Sequence, residues 1–303
     1  MDKIRIYNKL TEAIPGDAVL LDEPMKNYTT IKTGGLADII VMPQSITEIQ
    51  SVIKICKEND VPYFVMGKGS NLLVSDKGMR CVVVKLGDKF AKITIDGNDV
   101  IAQAGVSLSE LSEKIMEKSL KGFEFAGGIP GTLGGATTMN AGAYGGEMKD
   151  IIKSVKALNT EGEIINLSSE ELEFGYRTSM IQVKNYIVLE VKMEFEKGNY
   201  EEIAKTTKDL METRKAKQPL HLPSCGSVFK RPAGHFAGKL IEDSGLKGKK
   251  IGGAKVSKLH CGFIVNVDNA TTNDVLDLIE LIQKTVKSKF GIQLKTEVKI
   301  IGE

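Results

Sequence analysis

Residues 38–72 read DIIVMPQSITEIQSVIKICKENDVPYFVMGKGSNL, and this stretch decides how the chain begins to fold. Asp38-Ile39-Ile40-Val41-Met42 is an apolar run ended by Pro43. Ile49, Val52, Ile53 and Cys56 recur at the i, i+3, i+4, i+7 spacing that lays one apolar stripe along a helix, so the spacing predicts a helix over 46–59. Val61 to Met66 is short and apolar and is bounded by Gly67, the pattern of a buried strand. Strand, helix and strand in that order make a βαβ unit. A further strand over 81–86 follows the loop 67–78.

Outward from this unit the pattern stays mixed. Asp96-Gly97 between two strand-like runs marks a hairpin turn. Residues 107–119 read as a helix whose start, Ser107-x-x-Glu110, has the form of a capping box and whose stripe is Leu108, Leu111 and Ile115. Strands are expected near 151–158, 164–167 and 186–195. A charged helix follows over 201–217, placed to act as a connector, and it ends before Pro219. The last third offers a helix over 237–243 stopped by Gly245, a buried strand over 262–267, a long amphipathic helix over 272–290 stopped by Gly291, and a closing strand over 294–301. No internal repeat is visible. The class is α+β, with two or three subdomains.

Composition excludes several classes. With 303 residues, 42% hydrophobic and 26% charged, the chain can bury a large core and is neither disordered nor fibrous. Lysine plus arginine number 41 against 39 acidic residues, a net charge of +2 that gives no footprint for nucleic acid. No run of about 18 apolar residues suggests a membrane helix, and MDKIRIYNKL has no apolar signal region. Cys56, Cys81, Cys225 and Cys261 lie far apart, as reduced thiols of a cytosol would. Three histidines without HxH or HExxH spacing predict no metal site.

Three places could carry chemistry. Gly67-Lys68-Gly69-Ser70-Asn71-Leu72 follows a strand, and its glycines would let backbone N–H groups converge on an anion. Neither a Rossmann fingerprint nor a P-loop is present, and on the loop alone an ordinary strand-ending turn is the favoured reading. Gly127–Gly146, GGIPGTLGGATTMNAGAYGG, holds eight glycines in twenty residues. Such density argues against a helix or strand there and for backbone lying close to a flat or charged ligand. The interspersed Ile129, Leu133, Met139 and Tyr144 argue against a mobile linker. The third place is Ser224-Cys225-Gly226-Ser227-Val228-Phe229-Lys230-Arg231-Pro232. Here Ser227 could donate a proton, or Cys225 could attack with His221, His235 or His260 as its base. Turn chemistry for serine and packing for cysteine remain the ordinary alternatives. By spacing alone, Arg177 is a surface or salt-bridged arginine and Glu297 lies on a solvated strand face.

Taken in order, several stretches resemble one family. They are Thr30-Ile31-Lys32-Thr33-Gly34-Gly35, Gly67 to Ser75, Gly128 to Gly145, Tyr176-Arg177-Thr178-Ser179, Gln218-Pro219, Pro223 to Lys230, and Glu297. Together they resemble the UDP-N-acetylmuramate dehydrogenases, also called UDP-N-acetylenolpyruvoylglucosamine reductases. These are flavoenzymes of peptidoglycan precursor synthesis, a process tied to cell-wall biogenesis, cell shape and division. The short chain looks like the type II branch, which lacks an inserted tyrosine-bearing loop.

The resemblance implies a vanillyl-alcohol-oxidase-type FAD domain of two α/β subdomains, over 1–86 and 87–200, then a smaller substrate domain over 201–303. The strand at 294–303 is an option for returning to the first subdomain. Non-covalent FAD would lie along Gly67, Lys68, Gly69, Ser70, Asn71 and Leu72, and along Ile129, Pro130, Gly131, Gly134, Gly135, Thr137 and Gly142. NADPH would reduce the flavin, and hydride would then pass to C3 of the enolpyruvyl ether. Arg177 matches the arginine that stabilises the substrate carboxylate, Ser227 the proton donor to C2, and Glu297 the glutamate that shares the carboxylate. Arg231 stands where some members have asparagine, so that contact does not carry over. Lys230 and Arg231 are assigned to the diphosphate and Tyr144 to the uridine. A cytoplasmic monomer is expected, acting on a sugar nucleotide, with no metal, nucleic-acid or membrane partner.

Overall fold

The computed structural model describes residues 2–14 and 16–303. The opening βαβ unit is present. Leu36–Val41 is a strand buried from its second residue on. Ser45 starts the helix Ile46–Glu58 by accepting the Glu48 N–H on its hydroxyl at 3.2 Å, and Ile49, Val52, Ile53 and Cys56 are all buried. Tyr63–Met66 then pairs in parallel with Met79–Lys85. These strands and Val19–Pro24 form one four-stranded sheet in the order Val19–Pro24, Leu36–Val41, Met79–Lys85, Tyr63–Met66.

The chain divides into two compact units, residues 1–20, 39–68 and 81–214, and residues 21–38, 69–80 and 215–303. The first unit contains a five-stranded antiparallel sheet in the order Ile164–Ser168, Ile152–Leu158, Ile187–Glu194, Asp99–Gln103, Ile93–Asp96. The Asp96-Gly97 hairpin falls where its turn residues predict, with Gly97 at φ 59°. Ser107 caps the helix Leu108–Glu117 by accepting the Glu110 N–H at 3.3 Å.

The glycine tract corrects the sequence reading. Leu133–Thr138 is a helix, and Gly142–Ala143 pairs with Gly146–Glu147 as a short antiparallel ribbon. Glycine costs roughly 1 kcal/mol in a helix interior relative to alanine, which made the tract look unstructured. Packing outweighs that cost here. The Leu133 and Gly134 N–H groups, which no helical turn can satisfy, donate to the carbonyls of Val106 and Ala104 at 2.8 and 2.9 Å. A Cβ at Gly134 would stand 2.7 Å from the Ala104 Cβ, so the helix lies this close to the strand end only because that side chain is missing.

The second unit packs the antiparallel sheet Ser224–Ser227, Phe263–Asn266, Ala254–Val256, Lys250–Ile251 with the helix Thr272–Phe290. That helix buries Val275, Leu278, Ile279, Ile282 and Val286. Its ends match the sequence reading. Thr271 and Asp274 form a reciprocal capping box, and Gly291 closes the helix at φ 70°. N–H groups of Gly253 and Thr271 hold the Asp274 carboxyl below its ordinary pKa. Thr271→Ala is therefore expected to lower stability by about 0.5–2 kcal/mol. Urea unfolding of both proteins at equal flavin loading measures the difference.

The closing strand is shorter than expected. Only Lys299–Ile301 is regular, pairing in parallel with Leu72–Val74. Before it the chain changes partners. The Lys230 N–H donates to the Lys295 carbonyl, the Glu297 N–H to Val228, and the Lys299 N–H to Asn71. One isolated bridge, Phe229 to Thr296, marks the change. A segment that turns from one partner to another cannot keep a regular ladder.

Candidate active site

In the first unit Arg177 occupies the third place of a four-residue turn. Gly175 and Thr178 bond each other through both backbone groups, at 3.1 and 3.3 Å. Arg177 has φ 57°, a left-handed conformation that ordinarily goes to glycine or asparagine at such a place. Its guanidinium stands 5.5 Å from the Tyr176 ring centre and donates from Nη2 to the Gly142 carbonyl at 3.3 Å. Strain of this kind is held where a side chain has to point one way.

In the second unit Ser227 ends the strand Ser224–Ser227, half-buried, after Gly226 at φ 75°. The Ser227 hydroxyl donates to the Phe229 carbonyl at 3.4 Å, near the outer limit for such a bond. A Cβ at Gly262 would stand 3.3 Å from that hydroxyl and 2.9 Å from the His260 Cε1, so glycine leaves the space beside the serine open. Glu297 is half-buried in the irregular segment described above, not on a regular strand face. Its N–H bonds Val228 at 2.8 Å and its carbonyl accepts from Asn71 Nδ2 at 3.1 Å. The second unit thus brings Asn71, Ser227, Lys230 and Glu297 into adjoining segments.

Lys299, which sequence reasoning did not single out, belongs with them. Burial pushes its ammonium below the ordinary pKa, and Lys230 nearby pushes the same way. Two cations held this close suit an anionic ligand. A second omission is Arg214, buried near the end of the helix Tyr200–Lys217. Its Nε has no hydrogen-bond partner among the described residues, and burial works against its charge. The place of a Cβ on Gly128 is 3.1 Å from its Cδ, so the arginine lies along the start of the glycine tract. The signal available in sequence was an arginine in register with Thr207 and Met211 on a helix otherwise rich in exposed charge. Arg231 stacks on Phe236 at 4.0 Å, and Tyr144 is exposed at φ 53°.

A family model described as the C-terminal domain of UDP-N-acetylenolpyruvoylglucosamine reductase matches residues 218–301. Another, described as an FAD binding domain, matches residues 37–168. The UDP-N-acetylenolpyruvoylglucosamine reductase of Alkaliphilus oremlandii is 62% identical over 303 residues, 100% of each chain. The chain belongs to this reductase family, MurB.

The MurB enzyme of Clostridioides difficile is 49% identical over 303 residues, again 100% of each chain. The crystal structure of Thermus caldophilus MurB aligns with a TM-score of 0.80 at 33% identity, over 93% of this chain and 97% of that one. The glucose dehydrogenase Phl p 4.0202 aligns over 65% of this chain and 44% of its own, with a TM-score of 0.51 and 16% identity, which speaks to the fold alone. The protein is an FAD-containing oxidoreductase of α+β fold.

The residues present fit FAD. Gly135 is exposed on the tract helix, and among the described residues, beyond its own helix backbone and chain neighbours, its missing Cβ would meet Thr132 Oγ1 at 3.7 Å, so a strip of bare backbone is open to a flat ring. Gly67 leaves room for the Thr132 hydroxyl, which a Cβ there would meet at 2.0 Å. Gly69 turns the loop at φ 67°. Ile129, Gly131 and Gly142 are half-buried, Lys68 and Pro130 exposed, and Thr137 fully buried with its hydroxyl unpartnered among the described residues.

The thiol alternative has the wrong electrostatics. Burial pushes the Cys225 thiol up to about 12, so it stays protonated and is no nucleophile at neutral pH. Burial also lowers the pKa of His260, and its Nδ1 accepts the Gly262 N–H at 3.1 Å, leaving that nitrogen unable to serve as a base without breaking the bond.

Proposed function

We propose that the protein reduces the enolpyruvyl ether of UDP-N-acetylglucosamine to UDP-N-acetylmuramate, with NADPH as the source of hydride. Two relatives of full length, 62% and 49% identical, bear the name of that reductase. The observation that carries the reading further is the bond between the Glu297 N–H and the Val228 carbonyl, at 2.8 Å. It sets a carboxyl-bearing residue against the segment of the serine hydroxyl, the pair the proposed reaction needs beside one carboxylate.

When bound, FAD supplies the hydride that reaches C3 of the substrate. Negative charge then develops at C2 and spreads into the adjoining carboxylate. Arg177 offers that carboxylate a planar, permanently charged fork. Glu297 shares the carboxylate, which requires its own carboxyl to carry a proton at that moment. Ser227 donates the proton to C2. Serine is a weak acid, so its transfer depends on the strong enolate next to it and on exclusion of water. Lys230, Arg231 and Lys299 meet the diphosphate, Arg214 a further anionic group, and Tyr144 the uridine. We assign the reaction to the cytoplasm, in keeping with four buried cysteines that form no disulfide among the described residues, and to a monomer.

The test is optical. The purified protein is expected to be yellow, to bleach with NADPH, and to recover its colour when the enolpyruvyl sugar nucleotide is added without oxygen. A folded protein that takes up no FAD, or reduced protein that the sugar nucleotide does not reoxidise, overturns the reading.

A further inference from the structure

Asn140 lies within the glycine tract, just beyond its helix, and is 1% exposed. Every polar atom of its side chain is engaged. Nδ2 donates to the Gly175 carbonyl at 3.0 Å and to Glu147 Oε2 at 2.8 Å, and Oδ1 accepts the Lys149 N–H at 3.0 Å. Gly175 is the first residue of the turn that carries Arg177, and Glu147 is in the ribbon that begins at Gly142. Arg177 Nη2 donates to the carbonyl of that same Gly142. One buried amide therefore ties the backbone under the guanidinium to the ribbon that accepts from the guanidinium itself. A second tie closes the other end of the turn, where the buried Ser179 hydroxyl donates to the Thr138 carbonyl at 2.8 Å.

Asn140 also takes φ 44°, so one left-handed non-glycine residue donates to the turn that holds another, Arg177 at φ 57°. An asparagine serving only to satisfy its own loop would need one or two local bonds. This one reaches 35 positions along the chain to a turn that has already closed on itself.

We propose that Asn140 is a positioning residue for Arg177: through the Gly175 carbonyl and the Glu147 ribbon it fixes the height and direction of the guanidinium. The proposal rests on the role of Arg177 in the function proposed above. Asn140 itself touches no substrate.

The test is a double-mutant cycle read in two half-reactions. Asn140→Asp keeps the oxygen facing Lys149 and removes the donor to Gly175. The companion Asn140→Asp/Glu147→Gln relieves the clash between two carboxylates, so that a stable protein without the Gly175 tie can be studied. Flavin content and reduction by NADPH are expected to stay near wild type in both. Reoxidation by the enolpyruvyl sugar nucleotide is expected to fall on the order of 10²-fold, the usual consequence of a misaligned group. In an Arg177→Ala background, Asn140→Asp should add less than about a twofold further loss, because the two residues act as one unit. A full additional loss in that background overturns the proposal. So does recovery of reoxidation together with melting temperature in the companion variant, which would make the role one of stability only. Failure of the functional reading shows elsewhere, in unmodified protein whose reduced flavin is not reoxidised, and it removes this proposal too.

Discussion

Ser227→Ala is expected to bleach with NADPH at the wild-type rate and then to remain reduced when the enolpyruvyl sugar nucleotide arrives. A general acid in place contributes about 10²–10⁴-fold, so reoxidation should slow by that factor. The surroundings of Ser227 make the substitution clean. Among the described residues its hydroxyl has one long bond, to the Phe229 carbonyl at 3.4 Å, so alanine gives up only a weak interaction. The backbone there is held by the Val228 N–H to the Gly262 carbonyl at 2.9 Å and by the pairing with Phe263, neither of which needs the side chain. Melting temperature and flavin content should therefore match wild type. Stopped-flow absorbance in the flavin band separates the two half-reactions. Normal reoxidation of the variant would mean that another group, or water, delivers the proton to C2.

Much of the fold was legible because its elements bury one face. The helix Ile46–Glu58 and the helix Thr272–Phe290 carry regular stripes between a polar cap and a stop, and their bounds follow from the residues alone. The hairpin at Asp96-Gly97 needed only its turn residues. What was hidden depended on partners far away in sequence. Leu72–Val74 is three residues long and becomes a strand only because Lys299–Ile301 arrives beside it. The helix Lys3–Ala13 buries only Ile6 and Leu10, too sparse a stripe to declare itself. Inside the glycine tract, local propensity said one thing and the Ala104–Val106 carbonyls another, and the carbonyls decided.

The site was legible in a different way. Arg177, Ser227 and Glu297 each look ordinary by spacing, and only the order of several motifs along the chain singled them out. Lys299 escaped because alternation put it on the same face as Lys295, as one more exposed lysine. Its burial follows from the partner change at 297–299, which no local pattern encodes. Asn140 escaped because its meaning is a tie to Gly175, across 35 residues.

Arg177 offers the second large effect and a way to separate strain from chemistry. Arg177→Lys keeps a positive charge but loses the planar fork, and reoxidation is expected to fall about 10²–10³-fold, the usual loss for one electrostatic donor. Flavin reduction should be unchanged. Arg177→Gly should lose at least as much reoxidation, with an opposite pull on the fold. A left-handed residue other than glycine costs roughly 1–2 kcal/mol, and Arg177 stands at φ 57°. Glycine relieves that strain while giving up the contact with Tyr176, the bond to Gly142 and some entropy of the unfolded chain. Stability should stay within about 1 kcal/mol of wild type, as expected where opposing terms are of similar size. Thermal melting and stopped-flow reoxidation of the same sample give both numbers. A glycine variant that is stable and still reoxidises normally would show that the guanidinium has no part in the reaction. A stable variant that stays reduced would show why a strained arginine persists at a place where glycine fits better: the turn is shaped for the direction of the side chain, and the backbone accepts the cost.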